Sequence, residues 1–305
     1  MIGSGLANRT TQTSSNADVQ HAVIQHIDAA CRALDERPPS DASVHDARKQ
    51  MKRIRGGLRL LRSALGEATY DRLNRTVRDA AMPLTPLRDA KVLCDSLDAL
   101  SPRVGRSVAA SVMPTLQETL QHELHARRDK LADEDLDAIQ TTLQQIEKQL
   151  RESAVASPWT LDRAATAAAL KRAHKKARQA FKAVRREADD EHLHEWRKQV
   201  KYQIHQLEII KPAKPKRMRA IISRMQRLAE YLGDDHDLAL LHEQVAHVAP
   251  SSISEKDLQR LIKALQQRRA KLQHKAYRLG NKLYIDKPAD YRFRVNANDL
   301  TVRHH

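Results

Sequence analysis

A chain of 305 residues with 41% hydrophobic and 30% charged residues can bury a substantial core and is long enough for two domains. Its net charge of +16 and pI near 10.0 point to an anionic partner and say nothing about fold. Cys31 and Cys94 lie far apart without a C-x-x-C pair, so neither a disulfide framework nor a zinc cluster is indicated; no run of about 18 apolar residues offers a membrane span.

Residues 1–16 are rich in Ser, Thr and Gly, lack the basic and apolar regions of a signal peptide, and are expected to form a disordered tail. The whole chain has only eight glycines, and beyond the tail it has long Ala, Leu, Gln, Glu, Lys and Arg segments with a 3.6-residue period, which predicts an all-α fold. A helix is expected from Asp18 to about Glu36, stopped by Pro38-Pro39. Ser43, with Asp46 three residues on, resembles a capping box that would open the next helix and put His45 in its first turn. Further helices are expected over 67–82, 87–100, 103–132 and 134–152, with Pro114 kinking or dividing the third. The segment 154–160 reads as a boundary between halves of 17–153 and 160–284. Helices at 218–232 and 254–281 follow in the second half, and 285–305 reads as a tail.

The most informative stretch is VHDARKQMKRIRGGLRLLR, Val44 to Arg62, with its echo LHEWRKQVKYQIHQLEII, Leu193 to Ile210. Both contain H-x-x-R-K-Q-x-K, from His45 and from His194, at an offset of 149 residues; PLRDAKVL and LGDDHDLALL repeat Asp89 at Asp237 with nearly the same offset. Two segments in common register predict a duplicated plan. Wound at 100° per residue, the first copy gathers His45, Arg48, Lys49, Lys52, Arg55, Arg59 and Arg62 onto one arc of about 140°, with Val44, Ala47, Met51, Ile54 and Leu58 on the adjoining arc. Like charges at this spacing repel by roughly 0.2–0.5 kcal/mol per pair, so an uninterrupted cationic stripe reads as a row of donors for a polyanion. Gly56-Gly57 in the same helix forfeits about 1 kcal/mol per residue and points to close approach of another helix, or of a ligand. Lys171, Lys175, Arg178, Lys182 and Arg185 form a second stripe at the start of the second half.

His, Arg and Lys in this arrangement hold phosphate oxygens. Aromatic residues are only 3% and Trp196 falls on the apolar arc, so base stacking by single-stranded nucleic acid is poorly provided for. Binding duplex DNA through its phosphates stays open, without a recognisable groove-reading module. The apolar faces are needed for the core, which disfavours a membrane surface; a bare phosphate chain fits best. Asp89 and Asp237 read as carboxylates that orient Arg and Lys rather than as metal ligands, although Asp234, Asp235, His236 and Asp237 together could tempt a metal. His45 and His194 lack a carboxylate dyad, a Gly-rich loop or a Ser/Cys nucleophile, which favours binding over turnover and leaves a metal-dependent polyphosphate or triphosphate hydrolase as the enzymatic alternative.

With both motifs in both halves, the chain resembles the CHAD family, the conserved histidine α-helical domain, over roughly 17–284. The resemblance implies two pseudo-symmetric four-helix bundles about a shared basic surface, and binding of inorganic polyphosphate without catalysis or cofactor. It implies a cytoplasmic place at polyphosphate granules, with granule proteins as further partners. Some members carry a fused triphosphate-tunnel domain, for which this chain leaves no room. Carried over by motif, the phosphate ligands would be His45, Arg48, Lys49, Lys52, Arg55, Arg59, His194, Arg197, Lys198 and Lys201. The second copy departs in having Tyr202, Ile204 and Glu208 where the first has Arg53, Arg55 and Arg59; the stripe of Lys171, Lys175, Arg178 and Lys182 would compensate if it faced the same groove.

Overall fold

The computed structural model describes residues 14–156, 163–210, 215–248 and 253–285, and these form twelve α-helices with no strand among them. The expected tails at 1–16 and 285–305, and the expected boundary at 154–160, lie largely outside the described residues; Ser14 to Asn16 open α1 (Ser14–Ala33).

The motif helix α2 (Asp41–Leu60) begins a turn earlier than the capping box predicts. Ser40 is its N-cap: Ser40 Oγ accepts from Ser43 N at 3.2 Å, while Ser40 N donates to Glu36 at 3.1 Å. The helix gains this turn because nothing opposes it until Pro39, and a serine directly after a proline is free to cap. His45 therefore sits in the second turn, away from the exposed amides that end the helix dipole.

A four-residue α3 (Arg62–Leu65) leads through Gly66, whose φ of 76° suits only a glycine, into α4 (Glu67–Ala80) and α5 (Thr85–Leu100). Of the two outcomes expected at Pro114, a kink or a division, the chain takes the division: 103–132 comprises the end of a 3₁₀ turn at Ser101–Arg103, α6 (Arg106–Ser111) and α7 (Met113–Asp129). Pro114 stands in the first turn of α7, where its missing N–H breaks no helical bond, so it starts a helix rather than kinking one. After α8 (Asp133–Ala156) come α9 (Arg163–Arg186), α10 (Asp190–Ile210, the second motif helix), α11 (Pro215–Val248) and α12 (Glu255–Tyr284). Gly233 does not end a helix; α11 runs through it.

Buried residues from both halves form one continuous core, including Ile27, Met51, Ile54, Leu58, Leu143, Leu207, Leu228 and Leu265. Trp196 is fully buried, as its place on the apolar arc predicts, with its ring 4.8 Å from Phe181. The halves meet where α2 packs on α10 and α5 on α11. A Cβ on Gly56 would stand 2.7 Å from the Cβ of His205, and one on Gly57 would stand 2.2 Å from Cγ2 of Val23. The glycine pair thus answers to helix approach, by α10 on one side and α1 on the other. The Gly56–His205 contact joins corresponding motif positions, since His205 follows His194 by eleven residues as Gly56 follows His45; with Arg59 on the ring of Tyr202 and Arg53 beside Glu208, the two helices cross at this point.

Candidate anion-binding site

On the N-terminal side of the Gly56–His205 contact, Lys52 of α2 lies within electrostatic reach of Lys201 and Arg197 of α10 and of Arg48 on its own helix. Lys52 makes no hydrogen bond or ion pair with any described residue, and its side chain is exposed. Desolvation by the surrounding protein, followed by the charges of Lys201, Arg48, Arg197 and Arg88, nevertheless lowers its pKa to about 7. Lys52 is thus solvent-exposed yet crowded by protein, and with its cationic neighbours it forms the floor of the candidate site. Lys201, half-buried and likewise without a direct partner, is lowered to about 8, again first by desolvation and next by Arg197.

Three guanidinium groups complete the floor. Arg48 is anchored by donating from Nη1 to the carbonyl of Ala81 at 3.1 Å and to Thr85 Oγ1 at 2.5 Å, which ties α2 to the start of α5. The Nε atoms of Arg48 and Arg197 are buried without a hydrogen-bond partner among the described residues. Arg88, on α5, contributes to the field at His45, Lys52, Arg197 and Lys201 and so stands between the two copies; its nearest ion-pair partner is Asp95, at 3.9 Å.

Asp89 and Asp237 lie beside these cations. Burial raises both carboxyl pKa values, against the opposing pull of Arg48, Arg88 and Lys52 on Asp89 and of Arg197, Lys201 and Arg88 on Asp237. Five cations thus stand against Asp89, Asp237 and, at the edge, Asp95, a local excess of positive charge. A cavity of about 330 Å³ adjoins the floor, lined among others by Arg88, Arg103, Asp234, Asp237 and Arg268.

Both motif imidazoles are kept below the usual histidine range. For His45 the causes are desolvation, then Arg88, Lys49 and Lys52; for His194 they are desolvation, then Arg197 and Lys198. The ring of His194 stands 4.6 Å from that of His236, which burial and Arg197 depress to about 4. Neutral imidazoles and a depressed ammonium in one basin describe a surface short of anions.

Arg55 and Arg59 continue the stripe along α2. Arg55 Nε donates to Asn74 Oδ1 at 3.1 Å, Arg59 Nη1 donates to the carbonyl of Arg55 at 2.7 Å, and the Arg59 guanidinium stacks 3.7 Å above the ring of Tyr202. Tyr202, where the second copy departs from the cationic pattern, is therefore a support for the first copy's arginine. Glu208, the other departure, lies 3.8 Å from Arg53 and 3.5 Å from His205, at the α2–α10 contact.

The remaining residues singled out by sequence stand apart from this floor. Lys49 is exposed, 3.7 Å from Asp46, and Lys198 is ion-paired with Glu195. On α9, Lys171, Lys175 and Lys182 are exposed and Arg178 donates to the carbonyl of Tyr284 at 3.0 Å; none is among the principal charges acting on Lys52 or Lys201. Of the acidic run on α11, Asp235 is buried and accepts from Arg269 Nε at 3.1 Å and Gln273 Nε2 at 3.0 Å, which commits it to the fold. Among the described residues, the group with metal-ligand spacing is Glu187, Asp189 and His192, before and within the first turn of α10; there Asp189 accepts from the backbone N of His192 at 2.7 Å and serves as a cap. Sequence reasoning left out Arg88 and weighed His236 only as a possible metal ligand. Each immediately precedes a repeated aspartate, so the signal was present in PLRDAKVL and LGDDHDLALL.

The described residues form an all-α fold in which the motif helices α2 and α10 touch at Gly56 and His205 and their cations act on one another. The chain belongs to the CHAD domain family, whose sequence profile matches residues 21–246. It is also similar in fold to the crystal structure of the CHAD domain from the plant Ricinus communis, with a TM-score of 0.60 over 96% of each chain at 17% identity. Among curated proteins, none matches the chain. No helix among the described residues is long and apolar enough to cross a membrane.

Proposed function

We propose that this chain binds inorganic polyphosphate non-catalytically in the basin between α2 and α10. The observation that carries the reading is the convergence of Arg48, Lys52, Arg88, Arg197 and Lys201, two of them ammonium groups whose pKa values are lowered to about 7 and 8, first by desolvation and then by the neighbouring cations. A chain of phosphates supplies closely spaced charge without bases to stack, and each phosphoryl oxygen accepts from the forked guanidinium donors. Arg55 and Arg59 extend the track along α2, with His45, Lys49, His194 and Lys198 at its flanks. Asp89 and Asp237 orient the arginines. The exposed cations Lys171, Lys175 and Lys182 on α9, with Arg178, would meet a chain long enough to leave the basin.

The contact between corresponding positions of α2 and α10 also supports a duplicated plan, with one helical half over 17–153 and the other over 160–284. Granule association would follow from polyphosphate affinity and needs no catalytic step. Calorimetric titration with chains of graded length in rising KCl tests the reading. Affinity should fall steeply with salt, with a slope of about −0.7 per phosphate neutralised if polyphosphate behaves as a single-stranded nucleic acid does. An affinity that ignores salt, or duplex DNA that displaces polyphosphate at equal phosphate concentration, would overturn it.

A further inference from the structure

The cavity between α5, α11 and α12 shares Arg88 and Asp237 with the basin but differs from it in charge. Three arginines and three aspartates line it together, with Val92, Leu100 and Leu238 as apolar wall. Its volume of about 330 Å³ falls at the small end of ligand sites, which span roughly 300–1,000 Å³. A phosphate chain suits such a lining poorly, because its inner phosphates carry no proton for a carboxylate and no apolar surface. We propose that the cavity takes the base of a guanine nucleotide, whose phosphates run out past Arg88 into the basin; only the phosphate end of this ligand rests on the polyphosphate reading.

The charged groups stand in two sets. On the basin side Asp95 lies 3.9 Å from Arg88, at the point where the phosphates would meet the sugar; Asp95 and Ser96, two turns along α5 from Arg88, are the partners for ribose hydroxyls. Away from the basin, the charges that act on Asp234 are those of Arg268 and Arg103, and no basin cation is among them. Yet these three leave one another unsatisfied. Asp234 and Arg268 make no hydrogen bond or ion pair with a described residue, whereas the next residue, Arg269, is engaged by Asp190 and Asp235. Arg103 gives one N–H to the carbonyl of Ala99, which holds its guanidinium over the end of α5 and leaves its other donors facing the cavity.

A carboxylate and a guanidinium held apart across a gap match a ligand with donors on one edge and acceptors on another. Guanine has both. Its N1–H and N2 amine are adjacent donors that fit the two oxygens of one carboxylate, and its O6 and N7 are adjacent acceptors that fit the fork of an arginine. In adenine and cytosine the amine stands beside an unprotonated ring nitrogen, so one carboxylate oxygen would face a lone pair. The ring faces need apolar contact, which Val92, Leu100 and Leu238 provide without an aromatic residue.

Calorimetric titration of the full chain at pH 7.5 with GTP, ATP and tripolyphosphate tests the proposal, since the three share a run of phosphates and differ in the base. GTP should bind about tenfold or more tightly than either of the others, the worth of a bidentate pair to a base. Asp234→Asn turns an amide toward the N1–H donor; it should bring GTP down to the level of ATP and leave tripolyphosphate affinity unchanged, which also shows the variant to be folded. Arg268→Gln should remove part of the same preference. GTP bound no more tightly than ATP, or a preference that survives Asp234→Asn, would overturn the proposal and leave the polyphosphate reading standing. Long-chain polyphosphate that fails to bind, alongside a tenfold preference for GTP over ATP, would defeat that reading and uphold this inference.

Discussion

Polyphosphate binding should take up protons in an alkaline window, and the size of the uptake follows from two lysines. In the free protein Lys52 titrates near 7 and Lys201 near 8. A bound chain of phosphates favours both ammonium forms and raises both values. Because the bound pKa values exceed the free ones, protons enter on binding at a pH above the free values and below the bound ones. At pH 8 about 0.9 proton would enter at Lys52 and about 0.5 at Lys201, roughly 1.4 in all, whereas at pH 6 the two lysines together would take up about 0.1. Solvent that still reaches the exposed Lys52 weakens its depression, so about one proton at pH 8 is the working expectation. The same linkage lowers affinity by up to about twentyfold between pH 6 and pH 8. The imidazoles of His45 and His194, depressed below the usual histidine range, take up protons at lower pH than the two lysines, which makes pH 8 the cleaner condition. The assay is calorimetry in two buffers of different ionisation enthalpy, repeated with Lys52→Arg and Lys201→Arg, which keep the charge and abolish the titration. Uptake below about 0.3 proton at pH 8, or uptake that survives both substitutions, would refute the reasoning.

Other expectations concern the frame that holds the basin. Gly57→Ala should destabilise the protein by about 1–3 kcal/mol in urea or thermal unfolding, because its Cβ would overlap Val23, even though alanine is the better helix former by about 1 kcal/mol. A gain in stability would contradict the close approach of α1. Arg269→Met leaves the buried Asp235 carboxylate without its charged partner and should lower stability by about 3–5 kcal/mol, read from the denaturation midpoint. Tyr202→Leu removes the ring under Arg59; it should weaken binding of long chains by about 0.5–1 kcal/mol while leaving the proton uptake at pH 8 in place, since Tyr202 is not among the groups that shift Lys52 or Lys201.

Much of this was legible in the sequence because it depends on a single helix. The apolar and cationic arcs of α2 and α10 follow from 3.6-residue geometry, and they correctly put Trp196 of α10 in the core, as the glycine pair of α2 correctly marks a helix contact. What escaped depends on pairs of helices. Arg88 matters because α5 packs against both α2 and α11, which no periodicity reports. Tyr202 looked like a lost cation and proves to be the surface on which Arg59 rests. The choice of Ser40 over Ser43 as cap turned on how far the helix could extend toward Pro39, and two serines three residues apart both satisfy the local pattern. Gly233 reads as a helix end, yet α11 continues because that position is buried within the packed bundle.

The central claim is that both motif copies serve one site. Calorimetric stoichiometry and affinity for a short polyphosphate, compared between the natural chain, Arg48→Gln and Arg197→Gln, test it most directly. One shared basin predicts one chain bound per protein in all three, with each substitution weakening binding by about 1.5–3 kcal/mol, the worth of a charged hydrogen bond. Two bound chains per protein, or a substitution that halves the stoichiometry and leaves the remaining affinity unchanged, would mean two separate sites and contradict the account.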